Sequence, residues 1–419
     1  MSKSRLSLLV CSTALFLALG VAARGDELQA RGAQRAEDAI TLMIATDLHY
    51  ISPELTDHGE YFQKVIRSAD GKAMEYIEEL TDAFVRQVID QRPDALILSG
   101  DLTFNGARLS HTALAQKLLA VDEAGIPVLV LPGNHDLRNA RAASFEGDRF
   151  AYVESIDEAQ FAEIYRPFGY ETALSRDSAS LSYMAQVTPS LRVLMLDVNT
   201  QQLPGAVKKE TLQWAEDQLA RAAREGARVL AVSHQNLLLH SSMFSYGFVI
   251  GGNDSLLALY ERYGVLCNLS GHIHLQHIAL SENRLPDIAT SALSVSPNQI
   301  GVLTLQGNAA AYHTVPVTVS LPENDGGFAS FSDYAKSFFR ETAVSQVAEW
   351  SAGSPRAAAL ADYYADVNAA FFSGRMDTVS WDDDLLAGWK EQSGFIYSYL
   401  KLLRDGDPKN HTEFSFSFE

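Results

Sequence analysis

Two cysteines in 419 residues, Cys11 and Cys267, are too few for a disulfide framework. Cys11 falls in a leader that is expected to be removed, so the mature chain closes no internal disulfide, and its stability must come from other sources. Basic runs are missing as well. Lys and Arg number 33 against 52 Asp and Glu, a formal charge of −19, and no basic stretch interleaved with aromatics offers nucleic acid a surface. A phosphate bound here must be attracted by something other than a field of arginines. Repeats and low-complexity tracts are absent. What remains is an ordinary globular composition, 47% hydrophobic and 20% charged, in a chain long enough for two domains.

The one long apolar run stands at the N-terminus. Lys3 and Arg5 precede the stretch from Leu6 to Leu19, and small residues follow at Val21, Ala22 and Ala23. This is the pattern of a secretory signal, residues 1–23, and it implies export to the periplasm or the extracellular space. An uncleaved anchor is the alternative, because residues 6 to 23 are marginally long enough to span a bilayer. Leu-Leu-Val before Cys11 lacks the small residue that lipidation requires, so no stable membrane partner is expected after cleavage. Residues 24–39 are small and polar and read as a linker.

From Ile40, the apolar runs ITLMIATD, DALILSGD, IPVLVLPGN, LRVLMLDVN, RVLAVSHQ and VLCNLSGH alternate with helix-like stretches at 73–91, 109–124, 208–225 and near Leu256. Buried strands separated by helices indicate an α/β fold with a largely parallel central sheet. After Pro316 the periodicity turns helical and strongly aromatic, from Phe328 to Leu403. This reads as an all-α accessory domain of three or four helices, 323–419, behind a catalytic domain, 40–322. Its aromatic load exceeds the needs of a lone bundle, so part of it is expected to cover the catalytic domain.

Polar residues recur where each apolar run ends: Asp47 and His49, then Asp101, then Asn134, His135 and Asp136, then His234, and finally His272 and His274. Ligands collect at the carboxyl ends of strands in open α/β sheets, so these groups are expected to converge. Within LSGHIHLQH, an extended backbone sends His272 and His274 to one face and Ile273 to the other. Carboxylate, amide oxygen and imidazole without thiolate suit Mn, Fe or Zn better than Ca. A carboxylate such as Asp101 can bridge two cations about 3.5–4 Å apart, and the pair supplies the positive potential that the acidic surface withholds.

The ordered blocks Asp47-x-His49, Gly100-Asp101, Gly133-Asn134-His135-Asp136, His234 and Gly271-His272-x-His274 resemble the calcineurin-like metallophosphoesterases, over roughly residues 40–315. The resemblance implies a two-sheet sandwich flanked by helices and two divalent metals, Mn or Fe before Zn. Asp47, His49, Asp101 and His274 would hold the first, and Asp101, Asn134, His234 and His272 the second. It implies a hydroxide between the metals as nucleophile, His135 stabilising or protonating the leaving oxygen, and Asp136 orienting the His135 ring. Phe104 stands where purple acid phosphatases place a ligating Tyr, and the Asp-Arg-Gly of protein phosphatases is missing. The compact pattern is similar to class III cyclic-nucleotide phosphodiesterases, and a small phosphodiester such as a 3′,5′-cyclic nucleotide is the expected substrate. A broad phosphomonoesterase or nucleotide hydrolase is one alternative; a non-catalytic ligand-binding protein is another. Weaker substrate-binding candidates are Tyr50, which could stack on a base, and His277 at the substrate edge. Lys72 and Arg138 read first as solvated loop cations.

Overall fold

The computed structural model describes residues 39–320 and 327–418. The signal 1–23, nearly all of the linker and the boundary at 322 lie outside the described residues. Strands β1 (Ile40–Ala45), β2 (Ala95–Leu98) and β3 (Val128–Val130) run parallel. β2 and β3 are short apolar runs buried throughout, as is β1 from Leu42 on, the pattern that parallel pairing demands. β4 (Ala143–Glu146) and β5 (Arg149–Tyr152) form a small hairpin. β6 (Ser175–Arg176), β7 (Tyr183–Thr188) and β8 (Leu191–Leu196) begin a second sheet, while β9 (Asn199–Thr200) and β10 (Leu203–Pro204) pair with each other. β11 (Arg228–Ser233), β12 (Asn268–Ser270), β13 (His277–Leu280) and β14 (Pro286–Ala289) complete that sheet in the order β13-β14-β12-β11-β8-β7-β6. β15 (Gln299–Gln306), β16 (Ala309–Pro316) and β17 (Glu413–Ser417) add antiparallel to the first, giving β17-β16-β15-β1-β2-β3. The second sheet thus has a parallel heart with antiparallel margins, whereas the first is parallel from β1 to its β3 edge and antiparallel on the other side.

The two sheets share one core. Leu191, Val193 and Met195 of β8 face the first sheet, whereas Leu194 and Leu196 face a separate apolar layer, so the strand alternates between two buried surfaces. Helices α1 (Glu60–Arg67), α2 (Ile77–Gln91) and α3 (Arg108–Glu123) pack into the shared core, as does Phe161 of the short α4 (Glu158–Ile164). α5 (Lys209–Arg224) and α6 (Asn253–Arg262) cover the far side of the second sheet. Cys267 is free and fully buried at the entry to β12.

Four helices follow: α7 (Phe331–Ser351), α8 (Ala357–Phe372), α9 (Asp383–Gln392) and α10 (Gly394–Asp405). They do not stand apart. Phe331, Tyr334 and Phe338 of α7 join the core of the sandwich, with Tyr334 edge-on to Tyr76 at 4.6 Å. Ile273, Leu275 and Ala289 from the sandwich are buried among residues of α7–α10 in a second core. The all-α reading of 323–419 needs one correction: the chain ends as β17, which pairs with β16 at the edge of the first sheet.

Candidate metal centre

The parallel strands of both sheets end along one edge. Turns after β1, β2 and β3 carry Asp47 and His49, Asp101, and Asn134 with His135; turns after β11 and β12 carry His234, and His272 with His274. Two donor groups result, Asp47-His49-Asp101-His274 and Asp101-His234-His272, and within each the ligand atoms lie within 4.8 Å of one another. Asp101 belongs to both. Asn134 joins the second, its Oδ1 3.1 Å from His234 Nε2.

The backbone there is unusual. Asp47, His49, Asp101, His272 and His274 all have positive φ, between 46° and 67°. Left-handed backbone costs an L-residue about 1–2 kcal/mol, and its concentration at one spot marks a functional demand on geometry. The strain is held by main-chain bonds: Asp47 N–H donates to the Gly100 carbonyl and His49 N–H to that of Asp101, each at 3.0 Å. The extended backbone expected for Gly271-His272-Ile273-His274 is therefore corrected. β12 stops at Ser270, and two left-handed residues present both imidazoles to the site while Ile273 and Leu275 go to the helical core.

Asp47 and Asp101 are fully or almost fully buried. Burial works to raise both carboxyls, yet the surrounding histidines, His274 for Asp47 and His234 for Asp101, outweigh it and hold them below the usual carboxylate range. Asp47 Oδ2 accepts from Thr46 Oγ1 and from His272 N–H, whereas Oδ1 has no hydrogen bond and sits 3.2 Å from His274 Nε2. That same nitrogen is 3.2 Å from His49 Nε2. A buried carboxylate oxygen with no hydrogen bond, beside two imidazole nitrogens, is the donor set of a transition-metal ion. The residues fit the metals that the motif blocks imply.

Outer bonds hold the rings. His234 Nδ1 pairs with the Ser99 carbonyl at 2.9 Å, His272 Nε2 with the Gly247 carbonyl at 3.0 Å, and His274 Nδ1 with the Asp70 carboxylate. Ligating histidines are characteristically fixed this way, through the nitrogen that does not face the metal. At the mouth, His135 is partly exposed; its N–H donates to Asp101 Oδ1 at 2.8 Å and its Nδ1 pairs with the Phe104 carbonyl at 2.9 Å, leaving Nε2 3.9 Å from Asp101 Oδ2.

A sequence model of the calcineurin-like phosphoesterases matches residues 40–276. The chain belongs to this family. Over 58 residues it is 40% identical to a protein named probable cyclic nucleotide phosphodiesterase from Vesicomyosocius okutanii subsp. Calyptogena okutanii (strain HA), 14% of this chain and 24% of that one. A protein of the same name from Ruthia magnifica subsp. Calyptogena magnifica is 39% identical over 67 residues, 16% of this chain and 27% of its own. The chain thus spans about a quarter of the curated relatives it matches. A solved dimetal phosphatase from Danio rerio is similar at 14% identity with a TM-score of 0.48, covering 67% of this chain and 99% of that one. The two donor groups, built from the family's motif residues, suggest a dinuclear metal site.

Several residues of this phosphoesterase do other work than their sequence neighbourhood suggests. Asp136 does not orient His135. It is fully buried, and its carboxylate accepts from the N–H groups of Leu102, Thr103 and Gly133 and from the Thr103 hydroxyl, which ties the turn after β2 to the turn after β3. Tyr50 cannot stack on a base: its ring is buried, Lys117 lies over it at 5.9 Å, and its hydroxyl donates to Glu78. His277 is not at the metal centre; it opens β13 and lines a different cavity, of about 610 Å³, with His240 and His411. Lys72 is no solvated loop cation. It is 8% exposed and ion-paired to Asp70. Asp70 itself escaped the sequence reading, since a single Asp before Gly-Lys, 204 positions from the histidine it holds, carries no motif.

Proposed function

We propose that this phosphoesterase hydrolyses phosphodiesters, 3′,5′-cyclic nucleotides above all, with Mn or Fe, before Zn, held by the two donor groups that share Asp101. The observation that carries the diester reading is the pairing of Lys72 and Arg138. Lys72 is neutralised by Asp70, and Arg138 is bound to Glu158 Oε2 at 2.7 Å with Asp157 beside it. A monoester dianion is commonly gripped by free cationic side chains, whereas a singly charged diester is served by two metals and a neutral surround. The names of the two curated relatives, matched over short stretches, support the same reading.

When bound, the two cations supply Lewis acidity to the phosphoryl group and lower the pKa of water. The chain's own residues supply position and protons. Asp101 couples the two donor groups, and Ser99, Gly247 and Asp70 fix the rings of His234, His272 and His274. His135, held by the Phe104 carbonyl at Nδ1, keeps Nε2 available to hand a proton to the departing 3′-oxygen. The decisive comparison is kcat/KM on cyclic AMP and on AMP at one pH and one metal. The diester should be the better substrate; a monoester value equal to or above it replaces this reading with phosphomonoester hydrolysis. We propose also that residues 1–23 direct export, so that a mature chain beginning at Arg24 is recovered outside the cytoplasm. A full-length cytoplasmic chain overturns that.

A further inference from the structure

Beside the metal centre lies a cavity of about 210 Å³ that the chemistry above does not use. Asp70 and Phe244 line it from the sandwich, and Phe339, Gln346, Asn368 and Phe372 line it from α7 and α8. Two of its lining residues stand next to groups that hold candidate metal ligands. Asp70 is the carboxylate that holds His274, and Phe244 belongs to the loop whose Gly247 carbonyl holds His272. A ligand in the cavity therefore shares Asp70 and the loop of Gly247 with two of the candidate metal-ligating histidines.

Size and lining both select the occupant. At about 210 Å³ the space is below the roughly 300 Å³ at which drug-sized pockets begin, so it takes one planar ring system and not a whole nucleotide. The rings of Phe339 and Phe372 stand 5.2 Å apart at 60° and offer apolar surface to a flat group. Polar capacity is limited and directional. Asn368, 6% exposed, accepts from the Tyr399 hydroxyl at 2.7 Å through Oδ1, and its NH₂ donates to no other described group. Gln346 donates to the Ala69 carbonyl at 3.2 Å, which leaves its side-chain oxygen as an acceptor. One amide donor and one amide acceptor are the complement of an adenine edge, where a ring nitrogen accepts beside an exocyclic amine that donates.

We infer that this cavity is a nucleobase subsite, assembled from the helical region, that favours adenine. The substrate class rests on the cyclic-nucleotide reading; the binding of a base does not. The test uses adenosine, which has no phosphate, titrated into the metal-free full chain and followed by saturation-transfer NMR. Adenosine should bind, and Asn368→Asp, which keeps the acceptor for Tyr399 and removes the amide donor, should weaken binding about tenfold. Phe244→Ala, in a partly exposed loop, should weaken it without touching the Asn368–Tyr399 bond. In the metal-loaded enzyme both changes should lower kcat/KM for cyclic AMP about tenfold relative to bis(4-nitrophenyl) phosphate, which has no base. No adenosine binding to the wild-type chain, or equal binding to both variants, overturns the subsite. Adenosine binding with these losses but no cyclic-nucleotide hydrolysis retains the subsite and removes the phosphodiesterase reading instead.

Discussion

Gly271→Ala tests how tightly the metal centre is built into the backbone. A Cβ at Gly271 would stand 1.9 Å from Thr46 Oγ1 and 2.6 Å from Asp47 Oδ2. Neither atom is free to retreat. The Thr46 hydroxyl donates to Asp47 Oδ2 at 2.7 Å, and the His272 N–H donates to the same oxygen at 2.8 Å. Making room for one methyl group breaks both bonds. Each serves a buried, charged acceptor and is worth about 1.5–3 kcal/mol, so the substitution should cost about 3–6 kcal/mol against a typical total of roughly 5–15. Because Asp47 must move, metal occupancy should fall with stability. Gly394→Ala is the control: it opens α10 with nothing within 4 Å of a Cβ, and alanine there should be neutral or stabilising by up to about 1 kcal/mol. Urea midpoints with and without chelator, together with elemental analysis, measure both effects. A Gly271→Ala chain with full metal content and stability within about 1 kcal/mol of wild type refutes the argument.

Asp101→Ala should be the most damaging ligand change, emptying both donor groups, and after chelation Mn²⁺ or Fe²⁺ should restore activity better than Mg²⁺; fewer than one metal per active chain refutes a dinuclear centre. His135→Ala should keep its metals and lose about 10²–10⁴ in turnover on a cyclic nucleotide, with a smaller loss on a nitrophenyl ester whose leaving group needs no proton; equal losses on both count against the acid role. Acid should destabilise the fold through the histidine cavity. Burial pushes His277 down to about 2, assisted by His240, His411 and Lys409, and burial lowers His411 as well, despite Asp407 and Asp377. Both sit below the ordinary value near 6.5, so the unfolded chain binds protons that the folded chain refuses. Their contribution is complete above about pH 6.5 and is lost as pH falls toward the folded values. His277→Asn should reduce the proton uptake on unfolding at pH 5 by about one; an unchanged pH slope contradicts the assignment.

The strands and helices of the sandwich were legible because each short apolar run had to be a strand buried on both sides, and each amphipathic stretch had to lie over one. The metal donors were legible for a related reason: polar residues at the ends of such runs fall on one edge of a parallel sheet. What the residues do around the metals was not legible. Asp136 follows His135, but the tight turn sends its carboxylate to three backbone N–H groups instead of the ring. Tyr50 follows His49, but the left-handed backbone at His49 turns the next side chain inward to Glu78. Neighbours in sequence became strangers in space. The final strand could have been found, since Phe414, Phe416 and Phe418 alternate with polar residues at the two-residue period of a half-buried strand.

The loop after β12 explains why the helices are part of the metal centre's scaffold. Between the metal-facing His272 and His274 lies Ile273, and beyond them Leu275, both buried among residues of α7–α10. Left-handed conformations at His272 and His274 are costly for a short loop on its own and persist only where the surroundings over-determine them. Two apolar anchors on alternate residues supply that constraint, since twisting either histidine away from the metals would drag an anchor out of the helical core. Gln276 extends the tie: its side chain donates to the His411 carbonyl just before β17, and its backbone N–H donates to the Phe372 carbonyl at the end of α8. The chain therefore returns from its last helix to the loop that completes the metal centre. The helices that wall the proposed base subsite are the ones that hold those two histidines in place, so a ligand seated between α7, α8 and the loop bears on substrate selection and on the metal geometry through the same contacts.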